Sequence, residues 1–203
     1  MIKPTSTTNT KKGGHNAWSC DILPTEIPGQ HIQGDVIPLL SGDWDLLVSH
    51  PPCTFLSVSG ARWFYHPDDG HLPTSERRVH PKYPNRKKDQ EDAVEFFLQF
   101  YNCKIPKIAI ENPIGVMSTK LRKPDQIIEP FMFGDEASKK TCLWLKGLPK
   151  LVPTNVVSPG EFQTLSSGKR IATWYSNAPK KDRAKIRSKT FSGIALAMSQ
   201  QWS

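Results

Sequence analysis

The sequence predicts an α/β fold, three-layered and Rossmann-like around a mostly parallel sheet, and three segments predict it. Residues 44–49 (WDLLVS) and 107–110 (KIAI) are continuous apolar runs, the pattern of strands buried on both faces. Between them, 89–103 (DQEDAVEFFLQFYNC) opens with acidic residues and sets Ala93, Val94, Phe97, Leu98 and Tyr101 on one stripe, the pattern of an amphipathic helix. A strand, a long connection carrying a helix, and a second strand are the parts of a parallel pair.

The 203 residues suit one domain. Residues 1–14 (MIKPTSTTNTKKGG) are polar and aperiodic and are expected to be a flexible arm, leaving 15–203 as the domain. A short strand is expected within 15–23, ending at Asp21. A turn-rich connection follows over 24–33, and Gly34-Asp35-Val36 closes another short segment. The strand at 44–49 is halted by His50-Pro51-Pro52. A long loop rich in Pro, His and Arg then runs over about 53–88, and long loops inside compact domains are usually functional or mobile. Farther on, 141–145 (TCLWL) and 171–175 (IATWY) read as strands. The stretch 191–202 reads as a helix with Ile194, Ala195, Met198 and Trp202 on one side.

Charge and cysteine spacing narrow the function classes. The chain carries a formal +8, with a pI of 9.4 and mean hydropathy −0.48. An excess of this sign favours contact with phosphates, though it also serves solubility. The basic residues gather at 77–88 and 180–189, as if flanking one groove. Cys20, Cys53, Cys103 and Cys142 form no CxxC or CxxH pair, which argues against zinc. No signal peptide opens the chain and no apolar run reaches membrane length, so reduced thiols in a cytoplasmic protein are expected.

Two turns carry the chemistry. In SHPPC, a pair of prolines stiffens the backbone after a buried strand and aims the next side chain, Cys53. Two readings of Cys53 are open: a nucleophilic thiolate or a small buried hydrophobe. In ENP, Glu111 sits where the second strand meets a proline, either as a proton-holding carboxyl or as an ordinary cap or ion-pair carboxylate. A thiolate that attacks carbon-6 of a pyrimidine needs a partner at ring nitrogen 3, so the two residues make chemical sense together. With both strands parallel, both turns face the crevice at the carboxyl ends of the strands. Within the long loop, Arg62-Trp63-Phe64-Tyr65 combines a cation with aromatics, suited either to stacking an unpaired base or to anchoring the loop. His66, His71 and His80 are too irregularly spaced for a metal site and are expected in solvent. Lys139, Lys140 and Arg187 are candidates for phosphate contact, with a solvated basic face as the plainer account.

WDLLVSHPPC followed by IAIENP resembles the PPC and ENV motifs of DNA cytosine-5 methyltransferases. The longer string from GHNAWSCDILPTE through HIQGDV, RKPDQIIEPFMFG, SKKTCLWLKGLP and RSKTFSGIALAMSQQW resembles a phage-borne family described as cytosine methyltransferase-like, over nearly all the chain after residue 14. The resemblance implies a methyltransferase fold, a cytosine in DNA or a pyrimidine nucleotide as substrate, and S-adenosylmethionine as cofactor. It implies Cys53 as the covalent nucleophile and Glu111 as the group at ring nitrogen 3. It places Asp21, Asp35 and Pro51 at the cofactor and, less closely, the start of the 191–198 segment. For a phage-encoded chain it implies the host cytoplasm. The chain departs from the family at its start: the glycine-rich turn that lets backbone approach the cofactor is replaced by MIKPTSTTNTKKG, so the first strand is missing or replaced. A partner chain or a second copy could supply it. Residues 124–170 are also short for a target-recognition domain. Two alternatives stay open: a non-catalytic nucleic-acid- or protein-binding remnant with a counter-defence or regulatory role, and an enzyme that uses the same Cys and Glu on a pyrimidine nucleotide without the cofactor.

Overall fold

The computed structural model describes residues 16–179, 181, 186, 188 and 190–202. The expected arm at 1–14, His15, Arg187 and most of the 180–189 basic cluster lie outside the described residues.

Strands β1 (Ser19–Asp21) and β2 (His31–Gln33) pair in parallel. A second, four-stranded sheet is built from β3 (Leu46–Ser49), β4 (Lys107–Pro113), β5 (Gln126–Ile128) and β6 (Thr141–Lys146), in the order β3-β4-β6-β5. Strands β7 (Phe162–Thr164) and β8 (Arg170–Ala172) form an antiparallel hairpin. The helices are α1 (Arg86–Asn102), α2 (Met117–Lys120), α3 (Thr173–Ser176) and α4 (Ser192–Gln201).

Side chains alternate across the four-stranded sheet, and each face has its own helix. Leu47, Ile108, Ile110, Cys142 and Trp144 share a core with Phe97 and Phe100 of α1. Val48, Ala109, Leu143 and Leu145 share the other core with Ile194, Ala197 and Met198 of α4. This is why residues 46–48 of β3 and 108–110 of β4 are continuous apolar runs: both faces of the sheet are covered there. Cys20 and Val36 join the α1-side core, so the β1–β2 pair packs with the main sheet without being hydrogen-bonded to it. The amino end of α4 is tied down by Asp135, whose carboxylate accepts from the Gly193 amide at 2.8 Å and from Ser192 Oγ at 3.2 Å. A Cβ on Gly193 would collide with the Phe133 carbonyl, so glycine lets the helix start there.

The expected parallel pair is present: β3 and β4 run parallel, with Ser49 beside Ile110. The sheet is not mostly parallel, however. Strand β6 is antiparallel to both β4 and β5. Parallel neighbours need a crossover of a dozen or more residues, usually with a helix. Only the four-residue α2 stands between β4 and β5, and only a short 3₁₀ turn (Pro130–Met132) between β5 and β6.

Local differences follow similar logic. The expected strand at 171–175 ends at Ala172 and gives way to α3. The last three residues of the turn-rich 24–33 stretch form β2. Helix α1 begins three residues earlier than expected, and Phe100, outside the expected stripe, is fully buried. The 53–88 loop has 3₁₀ turns at Val58–Trp63 and Pro67–His71. It is clamped by Arg78, which donates through its amide, Nε and a terminal nitrogen to the buried Asp69 carboxylate.

Candidate active site

Because Ser49 pairs with Ile110, the next residues on each strand, His50 and Glu111, stand side by side at the carboxyl edge. His50 Nδ1 lies 2.8 Å from Glu111 Oε2, so one proton sits between them, and the two side chains are 2% and 13% exposed. One residue farther along, the buried Asn112 amide donates to the Pro51 carbonyl at 2.8 Å. The two motifs are thus joined twice, by side chains spanning the parallel strands.

The PPC turn is fixed from three further directions. The Leu56 and Ser57 amides both donate to the Cys53 carbonyl, at 3.1 and 3.0 Å, closing a tight turn. Val58 donates to the Ile114 carbonyl and Val116 to the Leu56 carbonyl, stitching the turn to the chain that follows ENP. From the start of α1, Arg86 donates to the Thr54 carbonyl at 3.0 Å and Gln90 to the Phe55 carbonyl at 2.8 Å. Gly115 makes the close approach possible, since a Cβ there would strike the Leu56 carbonyl oxygen.

On this braced turn Cys53 is exposed, which rules out the reading as a small buried hydrophobe. Cys142, which lies across from Asn112 in the β4–β6 register, is the opposite case. Burial pushes its thiol up to about 11, and the charge of Glu111 adds to the shift. A thiol held protonated is a poor nucleophile, so Cys142 is disfavoured, and of the two cysteines at this end of the sheet Cys53 is the accessible one.

The remaining candidates divide by location. Asp21 ends β1, and its Oδ1 accepts from the Leu23 amide at 3.0 Å; Asp35 lies two residues past β2, and its Oδ1 accepts from the Ile37 amide at 3.0 Å. Both carboxylates lie near the buried Cys20, whose thiol is raised mainly by burial, with both charges adding. They belong to the two-stranded pair, not to the sheet that carries Cys53 and Glu111. Pro51 is buried, with its carbonyl engaged by Asn112. Lys139 and Lys140 lead into β6, whose first residue pairs with Pro113, so they arrive at the same edge as ENP. Arg62 and Trp63 lie in the 53–88 loop with their rings in contact, the guanidinium 4.6 Å from the indole centroid. Of the loop histidines, His80 is buried against Trp63 and Tyr83, not in solvent as expected. Among the described residues no group of three or more His, Cys, Asp or Glu side chains could hold a metal ion, and no helix is long and apolar enough to cross a membrane.

His50 and Asn112 are absent from the sequence-derived candidates. A signal for them existed. Once 44–49 and 107–110 are paired in parallel, the residues that follow each run must face each other. The site therefore presents an exposed thiol on a braced turn and, on the neighbouring strand, a carboxyl hydrogen-bonded to a buried imidazole. No protein-family model matches the chain, and no curated protein sequence does either.

Proposed function

We propose that the chain is a cytosine carbon-5 methyltransferase-like protein acting on a cytosine in nucleic acid. One observation carries the reading: PPC and ENP end adjacent parallel strands and are bound together there, by His50 to Glu111 and by Asn112 to Pro51, with Cys53 exposed. In this reading Cys53 Sγ adds to carbon-6 of the ring. Glu111 meets ring nitrogen 3 with a proton or hydrogen bond, so the electron pair displaced by the addition is held at carbon-5. His50 fixes the orientation of the Glu111 carboxyl. Once carbon-5 has taken up a methyl group from a donor, a water molecule acting as base would remove its proton. That electron pair re-forms the ring double bond and Cys53 departs as thiolate.

The donor set suits the adenosine part of S-adenosylmethionine. Asp21 ends β1 and Asp35 lies two residues past the neighbouring parallel β2, each oriented by a backbone amide. Asp21 would accept from ribose hydroxyls and Asp35 would lie near the adenine. When bound, that cofactor supplies the methyl group. Strand order supports the same fold. With one further strand between β1 and β3, the order β2-β1 and then β3-β4 becomes the 3-2-1-4-5 order of a doubly wound sheet, and α1 and α4 already cover its two faces.

Two measurements test the proposal. Calorimetric titration with S-adenosylmethionine and S-adenosylhomocysteine should show binding, and no heat at millimolar ligand would remove methyl transfer and leave the binding-only alternative. DNA containing 5-fluorocytosine should crosslink to wild type in the presence of cofactor and not to Cys53→Ser. Equal crosslinking of both would remove Cys53 from the role.

A further inference from the structure

The 53–88 loop forms a half-open cavity of about 430 Å³ whose lining includes Arg62, Trp63, Tyr65, His66, Arg77 and His80. Neither arginine is neutralised by a carboxylate among the described residues. The Arg62 guanidinium carbon lies over Trp63, 4.6 Å from its centroid. Arg77 lies 5.8 Å from the Tyr65 centroid and is held by the Leu72 and Gly70 carbonyls, at 2.8 and 3.1 Å. Of the three acids in the loop, Asp69 is taken by Arg78, which holds its carboxyl down at about 2, Asp68 lies 3.6 Å from His66, and Glu76 forms no ion pair with either arginine. Over 53–88 the sequence has seven Lys and Arg against three Asp and Glu, so the loop carries half the excess charge of the chain.

We infer that this cavity is a binding site for an unpaired nucleotide of a single-stranded nucleic acid, with Arg62 and Arg77 at phosphate and Trp63 and Tyr65 against the base. The inference rests on the nucleic-acid part of the function proposed above. The size falls within the range of small-ligand sites, roughly 300–1,000 Å³. Guanidinium groups backed by aromatic rings bind phosphate while the rings offer a sequence-tolerant stacking surface. The cations line a concavity instead of a projecting ridge, so a base must leave its stack to reach the rings, which selects single strands over duplex. His80 meets Trp63 edge-on at 5.3 Å and Tyr83 does so at 5.4 Å, which keeps the indole in place.

The test is a fluorescence-anisotropy titration of the full chain with a labelled oligothymidylate, which contains no cytosine. Arg62 is exposed, so Arg62→Glu should fold; it is expected to weaken binding at least tenfold. Lys150→Glu, an equal charge change at the opposite edge of the sheet, is expected to stay within twofold. Trp63→Ala should cost roughly 5- to 100-fold, and wild type should lose a similar factor on an abasic strand of equal length. The inference is overturned if Arg62→Glu and Lys150→Glu weaken binding equally, or if blunt duplex binds as tightly as the single strand. It is overturned as well if thymidine monophosphate or polyglutamate competes as well as the strand. Oligothymidylate offers no cytosine to Cys53, so binding without the fluorocytosine crosslink sinks only the chemistry of Cys53, and crosslinking without this binding sinks only the loop site.

Discussion

His50 Nδ1 and Glu111 Oε2 meet at 2.8 Å although 61 residues separate them, because β3 and β4 pair Ser49 with Ile110 and set the following residues opposite each other. The pair is nearly closed to water, so each group depends on the other for its hydrogen bond at those atoms. Removing one partner of such a bond costs about 1–3 kcal/mol. His50→Ala and Glu111→Ala should each lower stability in urea unfolding by that order. In the double variant the two losses should overlap by about 0.5–3 kcal/mol. Strict additivity would mean that the two groups are neighbours without being coupled.

Gly115 and Gly34 make a matched pair. A Cβ on Gly115 would strike the Leu56 carbonyl, whereas a Cβ on Gly34 meets nothing within 4 Å. Gly115→Ala should therefore push the PPC turn away from β4 and cost about 1–3 kcal/mol, the range for overpacking. Gly34→Ala should leave the melting temperature unchanged to within a degree or two. Equal melting temperatures for both variants would show that the turn is not pressed against ENP.

Thiol labelling should rank the four cysteines by exposure. Iodoacetamide followed by peptide mass mapping should modify Cys53 first, Cys103 next, and Cys20 and Cys142 last. Early labelling of Cys142 would contradict its place in the core.

Cys142 also predicts an alkaline effect. Its folded value, about 11, lies above the ordinary 9.0, so the fold favours the protonated thiol. Its contribution to stability is complete below pH 9 and is lost as pH rises from 9 towards 11, where the unfolded thiol ionises first. Cys142→Ala should flatten the fall in melting temperature over that window.

In acid the sign reverses. Arg78 lowers Asp69 from 3.8 to about 2, so this contribution is present above about pH 4 and is lost as pH falls through 2. Asp69→Asn should loosen the 53–88 loop at neutral pH and remove the loss of protease resistance between pH 4 and 2. A variant whose loop stays as resistant as wild type at pH 7 would show that the clamp is dispensable.

Much of the site could be read because its signals are local. Continuous apolar runs marked β3 and β4, the proline turns marked their ends, and 3.6-residue periodicity marked α1 and α4. The three-residue strands β2, β5 and β7 are too short to show a period, and 171–175 carries strand-forming residues that turn into α3 after Ala172. The buried position of His80 could not be read either, because it depends on the 80–83 turn meeting Trp63 from a separate stretch of the loop.

By itself the sequence determined that Cys53 follows one buried strand and that Glu111 lies near the end of another, since apolar runs and proline stiffening are properties of contiguous residues. The strand expected to stop at Ile110 instead runs on through Glu111-Asn112-Pro113, where β6 pairs with it. Tertiary structure alone decided what holds those turns. Asn112 on Pro51, Arg86 on Thr54, Gly115 under Leu56 and His50 on Glu111 are contacts between residues distant along the chain. They arise from strand register and close packing, which no local pattern encodes. The direction of β6 was decided in the same way, by a connection too short to carry the chain back across the sheet.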